Sequence, residues 1–241
     1  MFTAYVDETA HDRDDGTFVA GFLGDEAAWK LVAAGWPAAI APLKALHMSA
    51  NRRLQNYARQ LSQAADLTKE GGLKALVGRV VKSDYKDLIP PQATKEGKIF
   101  AAWVLCMTAL IVRALEAIPT DERLEIVYEE QSEYACYASV VCSIIGQMPE
   151  FASDDGMPKL IGCRPISKKS TQLTQAADYL AYALLQEKND PTSAKAKITT
   201  PILEVHPVTS RAEGLLDRDM ARLIVSRTFE EVALLEGSRS Q

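Results

Sequence analysis

Only four cysteines occur in the 241-residue chain, and no two stand at the spacing of a zinc site. Cys106, Cys136, Cys142 and Cys163 lie in apolar contexts ("VLCM", "VVCS", "LIGCR"), which predicts four reduced core residues. Also missing is any run of about 18 apolar residues free of charge, so nothing reads as a membrane span. The opening "MFTAYVDE" lacks a basic segment and an apolar core, which predicts no secretory signal and makes the cytoplasm the expected location. The chain shows no internal repeat and no low-complexity block. The net charge of −5 argues against a protein that coats DNA generally.

What is there is apolar and unevenly charged. Hydrophobic residues make up 47% of the chain, enough for a sizeable core. Residues 7–26 hold seven acids and one base, Arg13, whereas residues 159–170 hold Lys159, Arg164, Lys168 and Lys169 and no acid. That basic edge is either a solvated loop or a place for phosphate to dock.

Two strand-like runs, "MFTAYVDE" and "TFVAGFLG", flank an acidic loop and predict a hairpin. Asp25 is placed to cap a helix that Pro37 kinks or ends. "LKALVGRVV", "RLEIVYEEQ" and "KLIGCRPI" read as strands. "GKIFAAWVLCMTALIVRALEAI", "SEYACYASVVCSIIGQM" and "TQLTQAADYLAYALLQEK" read as helices, the first central to the core. Pro191, Pro201 and Pro207 make residues 188–210 a polar connection, followed by an amphipathic helix from about 211 to 235. Helices and strands alternating after a hairpin predict one α/β domain with a mixed sheet.

Three acidic positions interrupt apolar elements: Asp7 and Glu8 end the first strand, Glu129 and Glu130 end "LEIVYEE", and Asp178 lies within a helix. Neighbours on a strand point to opposite faces, so one of each strand pair should reach a shared site, with the choice left open. Three convergent carboxylates suit Mg²⁺ or Mn²⁺, which prefers oxygen ligands and keeps water for a substrate phosphate. Against this stands the reading that each acid is exposed and paired with a base. His47, between Leu46 and Met48, reads on its own as a structural histidine. Tyr134, Tyr137, Tyr179 and Tyr182 could stack bases, but their helical spacing favours the core.

"YVDETA", "TFVAGFLG", "LHMS" and "STQLTQAADYLAYAL" together resemble the domain of unknown function 3800 family over residues 1–187. The 188–241 segment, with its connection and helix, lies outside the resemblance and is expected to pack on the same domain. The resemblance implies a ribonuclease H-like fold and a metal-dependent nuclease acting on DNA or RNA. It further implies that Asp7, Glu8, His47, Glu129 or Glu130, Gln175 and Asp178 occupy the family's motif positions. Asp7, Glu129 or Glu130, and Asp178 would hold the metal, with Glu8 and His47 auxiliary. Lys168, Lys169 and Gln175 would contact substrate. Thr9-Ala10 departs from the family's Ser-Gly, and Glu replaces the more usual Asp on the fourth strand. Such a fold requires the first strand to be central, antiparallel to its hairpin partner and parallel to "LEIVYEE". The rival expectation is a non-catalytic partner-binding protein on the same fold, with a homodimer as one option and no membrane role.

Overall fold

The computed structural model describes residues 1–9, 16–48, 54–81, 88, 95–130, 135–167, 171–207 and 218–239. Strand β1 (Phe2–Thr9) pairs antiparallel with β2 (Gly16–Asp25), which pairs antiparallel with β3 (Lys74–Val81). On its other side β1 runs parallel to β4 (Leu124–Glu129), and β4 parallel to β5 (Leu160–Ile166). The order β3-β2-β1-β4-β5 puts β1 in the middle of a mixed five-stranded sheet.

The strand alternation separates two apolar cores. Ala4, Val6, Val19, Leu23, Ile126 and Tyr128 face one way. They meet α3 (Lys95–Ala117) and α4 (Ala135–Gly146), and α7 (Arg218–Arg239) closes over those two helices. Tyr5, Phe18, Ala20, Phe22 and Val127 face the other way. They are covered by α1 (Glu26–Ile40), α2 (Ala58–Glu70), α5 (Leu173–Asn189) and α6 (Ala194–Val205). A fully buried Leu, Ile or Phe contributes about 1.5–3 kcal/mol, so two such layers dominate the stability.

Local chemistry explains the boundaries. Asp25 caps α1, its Oδ1 accepting from the Ala28 amide at 2.8 Å. Trp29, Val32, Trp36 and Ile40 form the buried stripe of α1, which continues through Pro37 to Ile40. The Trp29 indole donates to the Thr3 carbonyl at 2.9 Å and meets Tyr5 edge-on at 4.6 Å, docking α1 on β1.

Two expectations are corrected. Residues 188–210 are not a featureless connection: Ser193 caps α6, its hydroxyl accepting from the Ala196 amide at 3.0 Å, and Ala196, Thr199 and Ile202 are buried. Pro201 sits inside this helix, where packing against α2 and α5 outweighs its poor propensity. Nor are all four cysteines reduced. Cys142 on α4 and Cys163 on β5 form a disulfide, and Cys106 and Cys136 are free. Residues 21 apart in sequence meet only because the β4–α4–β5 crossover folds back on itself.

One window, Phe100–Ala117, is long and apolar enough to cross a membrane by length and composition, with a mean hydropathy of 1.7. It is 78% buried within the protein, as the central helix of its core.

Candidate functional site

The carboxylates at the strand ends sort by phase. Asp7 follows Tyr5 by two residues and shares its face, the α5 side, where its neighbour across β2 is Ala20. Glu8 shares the phase of Ala4 and Val6 and lies on the α3 side. On β4, Glu129 follows Val127 on the α5 side, whereas Glu130 falls just beyond the strand and is exposed. The β1–β4 ladder ends at Tyr5 and Val127, so Asp7 and Glu129 each stand two residues beyond the last pair. The sheet therefore brings two carboxylates to one face, at the carboxyl ends of neighbouring parallel strands. That is where open α/β sheets hold their ligands. Asp7 is only 6% exposed and Glu129 is half-buried.

Helix α5 packs on β1 and β2 from the same side and carries Gln175 and Asp178 one turn apart. Gln175 is 3% exposed, and its Oε1 accepts from the Leu46 amide at 2.8 Å and the Trp36 indole at 3.1 Å. Asp178 Oδ2 accepts from the Met48 amide at 3.1 Å. Both helix side chains thus grip the backbone on either side of His47, while Leu46 and Met48 bury their own side chains. The half-buried His47 is presented by a strap tied down at both neighbours. Burial, and secondarily the Asp178 carboxylate, raises the Tyr182 phenol above its ordinary range.

On the same face of the sheet, Arg164 of the basic edge is engaged by a carboxylate that the acidic positions singled out above did not include. Arg164 on β5, half exposed, donates to both carboxylate oxygens of Glu125 on β4, at 3.0 and 3.3 Å. Burial raises the Tyr5 phenol above its usual value, with Arg164 opposing. The signal was available, since Glu125 shares the phase of Glu129 in "LEIVYEE".

Among the described residues, no group of three or more His, Cys, Asp or Glu side chains is arranged to hold a metal ion. The expected three-carboxylate centre of Asp7, Glu129 or Glu130, and Asp178 is thus not assembled here. Two strand carboxylates on one face are nonetheless in keeping with Mg²⁺, which commonly takes one or two carboxylates and completes its shell with water and phosphate.

Lys168 and Lys169, with His11 and Tyr134, lie outside the described residues. Lys159 in the basic stretch is buried, and its Nζ donates to the Leu115 carbonyl at 2.9 Å. Tyr137, stacked on Phe100 at 4.6 Å, and the fully buried Tyr179 are core residues.

The molecule is an α/β protein with a carboxylate pair at the carboxyl edge of its central strands. No protein family, curated protein or solved structure matches the chain.

Proposed function

We propose that this protein is a ribonuclease H-like hydrolase that cleaves nucleic-acid phosphodiesters with the help of Mg²⁺ or Mn²⁺. The observation that carries the reading is the placement of Asp7 and Glu129 on one face of adjacent parallel strands at the centre of the sheet. The strand order, with only β2 reversed, is in keeping with that fold, and the resemblance to the domain of unknown function 3800 family points the same way.

Asp7 and Glu129 would hold the ion. When bound, it would supply a water of lowered pKa and neutralise charge on the phosphate. Asp178 and Gln175 act on the strap, holding the backbone on either side of His47, whose imidazole would be the group to pass a proton to the leaving oxygen. Glu8, on the opposite face, has no part in this arrangement.

The test is melting with and without Mn²⁺, alongside cleavage of a mixed DNA and RNA panel. Saturating Mn²⁺ at about 100 times its dissociation constant should stabilise the wild type by about 2.7 kcal/mol. That is a rise in Tm of about 5–10 °C for a chain of this size. Asp7→Asn and Glu129→Gln should lose the shift and at least about 100-fold of the cleavage. A wild type with neither shift nor cleavage leaves the second reading, a non-catalytic binding protein on the same fold.

A further inference from the structure

The outer face of α7 carries a pattern that its packing does not explain. Ala221, Ile224, Val225, Thr228 and Val232 are buried and hold the helix to α3 and α4. Directly opposite, Leu223, Arg227, Glu230 and Leu234 follow one another at helical spacing in a single line, all exposed. Leu223 is 43% and Leu234 74% exposed. Single exposed leucines are ordinary. The order here is not: read backwards about a point midway between Arg227 and Glu230, apolar, base, acid, apolar becomes apolar, acid, base, apolar, the charge complement of itself.

We propose that this stripe is a self-association surface whose occupant is the same helix of a second copy, antiparallel across a two-fold axis. In that alignment Leu223 meets Leu234 of the second copy, and Arg227 meets its Glu230. The axis repeats both contacts, giving the self-complementary interface that two-fold symmetry demands. A parallel alignment would set arginine on arginine and glutamate on glutamate, so the charges select the antiparallel one. The Ser226 hydroxyl donates to Glu230 Oε1 at 3.1 Å, restraining that carboxylate on the stripe. One helix pair is a small interface, so the dissociation constant is expected on the order of 10–100 µM. The inference is independent of the nuclease reading.

Sedimentation equilibrium of the full chain across about 5–500 µM tests it. Wild type should pass from monomer to dimer over that range. Arg227→Glu alone and Glu230→Arg alone should each weaken self-association at least tenfold, because each sets like charges face to face. An equimolar mixture of the two single variants should dimerise, since every facing pair is then opposite in sign. The double variant R227E/E230R should regain the wild-type constant. Melting temperatures matching wild type exclude misfolding as the cause. A wild type that stays monomeric, a dimer indifferent to these charges, or single variants that do not associate on mixing would each overturn the proposal.

Discussion

At the scale of single residues, the buried polar groups carry the sharpest expectations. His206 packs edge-on against Phe22 at 4.9 Å, and its Nε2 lies 2.8 Å from the Thr68 hydroxyl. Burial, and secondarily the charge of Lys69, lowers its pKa from 6.5 to about 4. Below about pH 6.5 the unfolded chain takes up a proton that the folded chain refuses until about pH 4, so stability falls as pH drops through that window. The loss should approach about 3 kcal/mol, and urea unfolding from pH 7 to 4.5 should show it, with His206→Gln flattening the profile. Gln175 gives a second case. Gln175→Leu leaves the Trp36 indole and Leu46 amide without an acceptor in the core, at a cost of about 2–4 kcal/mol in urea unfolding. Sequence alone singled out Gln175, but as a substrate contact, because the partners of its oxygen lie 129 and 139 residues away. The phase of the acids was legible: alternation from Tyr5 and Val127 already separates Asp7 from Glu8 and Glu129 from Glu130.

Between elements, spacing decides. Gly78 on β3 faces α3, and a methyl group there would fall 1.8 Å from the Cys106 carbonyl oxygen. Gly78→Ala must push the helix off the sheet and should cost about 3 kcal/mol or more, or prevent folding. Gly162 on β5 has nothing within 4 Å of the same position, so Gly162→Ala should lie within about 0.5 kcal/mol of wild type. The pair can be measured side by side by thermal unfolding. The disulfide clamps α4 to β5, and Cys142→Ser/Cys163→Ser should cost about 3 kcal/mol, the entropy of a loop of this length. Neither the disulfide nor α6 was legible. The first depends on a crossover, and the second overrides its prolines through contacts with α2 and α5.

For the whole molecule, strand order was readable because a short hairpin forces antiparallel neighbours and a helical crossover favours parallel ones. The extent of the domain was only partly readable. Residues 194–205 and 218–239 close the two opposite layers, so deleting 208–241 should expose the apolar surface under Ile224, Val225 and Val232. The truncated chain should aggregate or lose its cooperative melt, as calorimetry would show. The same arrangement bears on how the protein is made. Helix α3 is apolar enough to pass for a membrane span, and the helices that roof it, α4 and α7, both follow it in the chain. During synthesis α3 follows β2 and β3, the strands it packs on, but the face that α4 and α7 cover stays open until those helices are made. Exposed apolar surface of that kind is prone to aggregate in a half-made chain, so arresting synthesis before residue 135 should yield a less soluble nascent chain than arrest after residue 239, as pelleting of the stalled chains would show.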